Sequence, residues 1–504
     1  MAVEGDAWVE TPWRRGRRAV VLVLVVAVPV VFDTSVRPVF ALPKFTVAVL
    51  GALLLVALAV GERVFGRSAP LRGNRLEVPV LLLVGWAAFT AAASADPRTS
   101  VFGNRESLNG LVTSLAFVVL FFAAADAFDG GRIRTALGAL WFGAGGTVLL
   151  YAAVQLRDHV AGAPGWDPIR WMNAPDDWAA WSTLGNPNDL AGFLALLLPV
   201  GLVLLTLARP PLLRGATVVM VLLLLTAMVA TGSRGALLGA VAGVGALGWW
   251  FRRCIRQRAR LTLVLAGAVV GVAVPAAAVL VAEGPGPRRA GDVLAVSEGT
   301  TAQLRVELWK TAWRMAGDNP VLGVGPDRFA PSFDDYRSRR FVRVYGPDLL
   351  ATDPHNVFLN SLATQGVPGL VALCFLVVAA IALFRRTTRD LGWPSALTAG
   401  TSPTEPQALA GAVGAALIAY LVQAALNRHD IALEFCWWLL LGLLCALGRR
   451  RLQPARRGRS RAATATSTPA APTASATQEI APSPSSSSSD SSPAETSTMS
   501  LHHS

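Results

Sequence analysis

Of the chain's five histidines, His355 alone stands where a long polar loop meets a long apolar run. It lies in Asp353-Pro354-His355-Asn356, between the loop 283–353 and the apolar stretch 357–384. An imidazole at such a boundary can take a proton from a hydroxyl while an anion is held beside it. The loop is crowded with arginines, and Arg305 falls on a predicted helix over 301–315. Leu304, Leu308, Ala312 and Met315 form the apolar stripe of that helix. Arg305 sits at the edge of the stripe, in line with Trp309, whereas Glu307, Lys310 and Arg314 lie elsewhere on the wheel. Arg234 occupies a tight turn, Thr231-Gly232-Ser233-Arg234-Gly235, closely flanked by apolar runs. A lone arginine there would be read as snorkelling from a helix end. This turn is too short for the side chain to wander, and an ionisable group pinned at a membrane is a functional candidate.

Two further stretches place polar groups beside glycine, which lets backbone and ligand approach closely. Gly103-Asn104-Arg105-Glu106-Ser107-Leu108-Asn109-Gly110 offers Arg105, and Gly185-Asn186-Pro187-Asn188 offers Asn186 and Asn188. Asn356 adjoins the histidine. The adjacent carboxylates Asp334-Asp335 and Asp176-Asp177 could hold a divalent ion against a diphosphate. Neither pair has a third ligand in sight, so both read as solvated loop and no metal site is expected. Arginine forks can neutralise the same leaving group. Arg337, Arg339, Arg340 and Arg343 read as a basic surface over the site, and His429, in Asn427-Arg428-His429-Asp430, as structural.

The elements that must position these residues are membrane helices. The 504 residues are 53% hydrophobic and 15% charged, with mean hydropathy +0.48. That is too apolar for a soluble globular chain. Apolar runs of spanning length give an all-α polytopic protein of about twelve spans. They lie near 19–32, 45–60, 78–93, 108–125, 133–154, 190–207, 212–230, 236–250, 261–282, 357–383, 408–426 and 431–447. Arginine-rich connections alternate with poorer ones, which predicts cytoplasmic termini and outer loops carrying Arg105, Asn186, Arg234 and His355. The organisation expected is a cytoplasmic N-terminus (1–18), a membrane domain (19–452) and a disordered cytoplasmic tail (453–504) rich in Ser, Pro, Ala and Thr. The largest outer loop, 283–353, falls between spans nine and ten. The net charge of +13 comes in short clusters between apolar runs, suited to topology and anionic lipid rather than nucleic acid.

Gly232-Ser233-Arg234-Gly235, the Arg305 helix running to Gly325-Pro326, and His355-Asn356 with Gly366-Val367-Pro368-Gly369 together resemble the O-antigen ligase superfamily. The superfamily includes O-antigen polymerases and some protein O-oligosaccharyltransferases. The two glycine-flanked stretches above resemble its earlier outer motifs. The resemblance implies a C-type glycosyltransferase architecture in a bacterial cytoplasmic membrane. It implies a polyprenyl-diphosphate-linked glycan donor, a glycan, lipid or protein acceptor, and metal-independent transfer with inversion. The family's catalytic histidine maps onto His355, and its diphosphate-binding arginines onto Arg234 and Arg305, with Arg105 as a further candidate. Neighbouring arginines would keep the imidazole neutral. A multi-pass solute transporter is the alternative, since about twelve spans with both ends inside also suit that class.

Overall fold

The computed structural model describes residues 11–66, 75–129, 131–161, 180–255, 301–393, 403–428 and 430–449. Among them there are helices and no strands. In chain order they are α1 (Pro12–Val30), α2 (Ala41–Phe65), α3 (Glu77–Ala92), α4 (Pro97–Phe102), α5 (Leu111–Ala127) and α6 (Arg132–Gly138). A π-helical turn, Ala139–Gly145, runs from α6 into α7 (Gly146–Ala161). Then come α8 (Pro187–Leu207), α9 (Pro211–Thr231), α10 (Arg234–Ile255), α11 (Thr301–Asp318), α12 (Phe329–Tyr336) and α13 (Arg339–Tyr345). The last three are α14 (Val357–Asp390), α15 (Glu405–Ala424) and α16 (Ile431–Gly448).

Every expected span except 261–282, which lies outside the described residues with the tail 453–504, falls on a helix. Seven of these helical stretches are long and apolar enough to cross a membrane; Glu77–Ala92 and Leu111–Ala127 are apolar but shorter. The ordered elements among the described residues are thus all helical, with several of a length and composition suited to crossing a membrane. The first helix begins ahead of the first expected span. The basic residues placed ahead of the first span belong to α1 itself, which begins at Pro12 behind a Thr11 cap. Arg17 is buried there, paired with Glu62 of α2 and at 2.7 Å with Asp126 of α5. A charge can enter the helix because two carboxylates wait for it.

Helices α8, α15 and α16 are apolar all round and buried on nearly every side, so they form the centre of the bundle. The amphipathic α11, α12 and α13 make a second, smaller core of Leu308, Ala312, Met315, Phe329, Phe333 and Phe341. The predicted stripe of α11 is therefore its buried face. Glu307, expected off that face, is buried beside it, taking hydrogen bonds from Lys310 at 2.8 Å and Ser338 at 2.9 Å.

The turn after α11 locks this small core to α14. Pro368 has no N–H to give to the Thr364 carbonyl, and the helix kinks at Gly366, φ 69°. The freed carbonyls of Ala363 and Thr364 instead accept from Val324 and Gly325, each at 2.9 Å, while Val367 donates to Pro320 at 2.8 Å. The backbones meet at glycine on both sides. A Cβ on Gly323 would lie 2.3 Å from the Thr364 backbone, and one on Gly366 would lie 2.2 Å from the Val321 carbonyl. Just beyond, Asp327 gathers the loop 103–110, accepting from Asn104 N at 2.7 Å, Asn109 N at 3.0 Å and the Ser107 hydroxyl.

Candidate functional site

The loop between α15 and α16, residues 425–430, is the hub on which the site is assembled. Asn356 caps α14, its Oδ1 accepting from Phe358 N and Leu359 N, and its Nδ2 donates to the Ala425 carbonyl at 2.9 Å. Arg305 of α11 donates to the Asn427 Oδ1 at 3.3 Å. Gly235, one residue into α10, lies close enough that an added Cβ would sit 3.1 Å from the same oxygen. Arg428 Nε stands 3.0 Å from Asp189 on α8. One short loop thus draws together four segments that are far apart in the sequence.

His355 is pinned from its own side. Its backbone N–H donates to Asp353 Oδ1 at 2.7 Å. Its Nδ1 lies 3.2 Å from both the carboxylate and the carbonyl of Asp353. Both neighbours are acceptors, so Nδ1 carries the proton and Nε2 is left with its lone pair. The residue holds φ 54°, a left-handed backbone unusual outside glycine and one that recurs at functional sites. Its side chain is 25% exposed, so the free edge can be reached.

The expectation that arginine keeps this imidazole neutral needs correcting. Burial lowers its pKa most, and Arg305 lowers it further, but the hydrogen bonds and charge of Asp353 outweigh both and raise it above 6.5. The sequence placed Asp353 beside His355 without showing that its carboxylate folds back onto the ring.

Arg305 faces the opposite situation. Burial and the like charge of Arg234 both press its pKa down, and its buried Nε has no hydrogen-bond partner. The two guanidinium groups are within electrostatic reach of each other and Arg305 is within reach of His355. Arg234 is exposed at the first residue of α10, three residues past the end of α9, with Gly232 at φ 63° turning the chain. Arg305 therefore lies within electrostatic range of both Arg234 and His355.

The other candidates sort differently. Arg105 is exposed on the loop tied to Asp327, and no contact joins it to the His355 cluster among the described residues. Asn186 is the N-cap of α8, accepting from Asn188 N at 2.8 Å, as Asn356 is for α14. Both asparagines are doing structural work that their positions before helical runs explain. Asp334 is exposed and paired with Arg337 at 3.3 Å, whereas Asp176, Asp177 and His429 lie outside the described residues.

Sequence reading passed over a set of buried charges behind the site. Lys44 is fully buried, donating to the carbonyls of Val31 at 2.9 Å and Thr183 at 2.7 Å. Asp430 caps α16, accepting from Ala432 N at 2.8 Å. Asp189 is buried in α8 within reach of Arg428, Asp430, Asp353 and His355. A usable signal was present: Lys44 is one of only two lysines, and it lies inside an apolar run.

Residues 218–374 match the family model described as O-Antigen ligase, a segment that contains Arg234, Arg305 and His355 and excludes Arg105, Asn186 and Asn188. The match supports the O-antigen ligase and polymerase superfamily and does not favour the transporter alternative. No curated protein matches the chain.

Proposed function

With an O-antigen ligase match across its central third as premise, we propose that this multi-pass membrane protein is an inverting, metal-independent glycosyltransferase. It transfers or polymerises a polyprenyl-diphosphate-linked oligosaccharide onto an acceptor hydroxyl at the outer face of a bacterial cytoplasmic membrane. The observation that carries this reading is the convergence of Arg234 and Arg305 beside His355, with the Arg305 guanidinium part-buried, repelled by its neighbour and incompletely hydrogen-bonded. Two cations held together at that cost are a site for an anion with several oxygens.

In the reaction, the diphosphate of the donor lies against the two guanidinium groups. His355 Nε2 accepts the proton of the acceptor hydroxyl as that oxygen bonds to the anomeric carbon. The bond from that carbon to the diphosphate oxygen breaks on the opposite face, which inverts the centre. The growing charge of the leaving diphosphate falls to Arg234 and Arg305. Asp353 holds Nδ1–H and balances the imidazolium. The remainder of the reading takes about twelve spans from the apolar runs, and cytoplasmic termini with the 283–353 loop outside from arginine placement; it is supported by Gly235 and Asn356, the residues next to Arg234 and His355, both meeting one hub.

The test is reconstitution. Purified protein in lipid, given polyprenyl-diphosphate oligosaccharide and candidate acceptors, should release polyprenyl diphosphate and form a longer or newly linked glycan. His355→Ala protein, normally inserted, should do neither. Full transfer by that variant sinks the reading.

A further inference from the structure

The side chain that holds Arg305 is a neutral amide. Asn427, almost wholly buried in the hub loop, accepts from Arg305 Nη2 at 3.3 Å. That amide is fixed in turn. Its Nδ2 donates at 3.1 Å to the Oε1 of Gln423, in the last turn of α15, which leaves Oδ1 aimed at the arginine. Gln423 is itself almost wholly buried. The hub folds back over the helix end to bring the two amides together, with Leu426 N donating to the Gln423 carbonyl at 2.9 Å. On another side the Asn427 amide meets α10. A Cβ on Gly235 would lie 3.1 Å from its Oδ1 and 3.3 Å from its Nδ2. The glycine that follows Arg234 therefore leaves the space that the amide fills. One carboxamide touches both Arg305 and the residue next to Arg234.

We propose that Asn427, fixed by Gln423, is the positioning residue of the anion site: it sets the direction of the Arg305 guanidinium and its place beside the first turn of α10 without neutralising its charge. The residue type carries the argument. A part-buried guanidinium is ordinarily compensated by a carboxylate. A carboxylate at position 427 would hold Arg305 firmly, but it would take up the charge and compete with an incoming diphosphate for the same N–H groups. An amide oxygen holds the group through one hydrogen bond and leaves the charge for the ligand. An arginine already held in place also loses less rotamer freedom when the anion binds. Gln423 matters because an Asn427 amide turned end for end would point its N–H groups at the guanidinium, donor against donor. Asn427 acts through Arg305 and is assigned no contact with the reacting atoms.

This role rests on Arg234 and Arg305 forming the diphosphate site of the proposed transfer, but its measurement needs no glycan. The purified full chain in lipid is labelled with phenylglyoxal, which modifies guanidinium groups, and labelling at Arg305 is read by mass spectrometry as inorganic pyrophosphate is raised. In the unsubstituted protein pyrophosphate should protect Arg305. Asn427→Asp should need roughly tenfold more pyrophosphate for half-protection, the worth of a contact to a charged group. Asn427→Ala should weaken protection by a smaller factor, because the hold is lost but the charge remains. A purely packing role gives the opposite order, with the isosteric Asp mild and the cavity-forming Ala severe. That order, or midpoints that do not move, overturns the proposal. Gln423→Met leaves residue 427 in place and should also weaken protection. If Asn427→Asp does not insert, Asn427→Ala and Gln423→Met decide, and an unmoved midpoint in either overturns the proposal. No protection in the unsubstituted protein removes the anion site and the proposal together. The expected shifts in a protein that transfers no glycan would uphold the positioning role and sink the transferase reading; normal transfer with unmoved midpoints would sink the positioning role alone.

Discussion

Asp353 folds back onto His355, its Oδ1 taking the His355 backbone N–H at 2.7 Å and standing 3.2 Å from Nδ1. One carboxylate thus sets both the left-handed backbone of the histidine and the proton on its ring. Removing it separates these effects from those of Arg305.

For Asp353→Asn, the raising influence on His355 is lost while burial and Arg305, both lowering, remain. A base works in its neutral form, so transfer by the unsubstituted protein should fall as pH drops through a value above 6.5. In the variant that acid limb should move to lower pH, with a reduced plateau because the tautomer is no longer fixed. The raised pKa also makes protonation of His355 stabilise the fold at low pH, a contribution lost as pH rises through it. A pH–rate profile of both proteins checks this; an acid limb that stays put refutes it. His355→Ala should lose on the order of 10²–10⁴ in rate.

Arg234→Lys and Arg305→Lys keep the charge and lose the planar fork. Each should lower transfer by roughly the worth of a charge-assisted hydrogen bond, about 1.5–3 kcal/mol. On the proposal that both serve one diphosphate, the double variant should cost less than the two losses combined. Initial rates with inserted protein quantified by immunoblot give the answer, and strict additivity would separate the two sites.

Gly323→Ala should unfold at lower temperature. Its φ of 66° disfavours a side chain by about 1–2 kcal/mol, and the new Cβ would press on the Thr364 backbone. Gly215→Ala, in a helix with nothing within 4 Å, is the control and should be neutral or stabilising. Transfer should fall with the first variant only, since the Gly323 turn carries α11 and with it Arg305. Thermal melts followed by tryptophan fluorescence distinguish the two.

A chelator should leave transfer unchanged, because arginine is assigned the neutralising role. A chain ending near residue 461 should insert and transfer too, since the Ser- and Pro-rich remainder has little apolar surface to bury. Loss of activity with normal membrane levels in either experiment contradicts the corresponding expectation.

The sequence alone determined the helices and their faces. Apolar runs report membrane-length helices because lipid demands that every backbone group be paired within its own segment. The stripe of α11 was legible because helical spacing repeats locally, and so was the tight Arg234 turn, since Gly232 can take a left-handed backbone at no cost. What the sequence could not decide was which ends meet. Asn427 serves Arg305 and abuts α10, Arg428 pairs with Asp189, and Asn356 ties α14 to Ala425, all across separations that no local period encodes. Nor could it decide the direction of the shift at His355. That depends on a contest between burial, one carboxylate two residues away and one guanidinium fifty residues away, and only the packed structure fixes their distances.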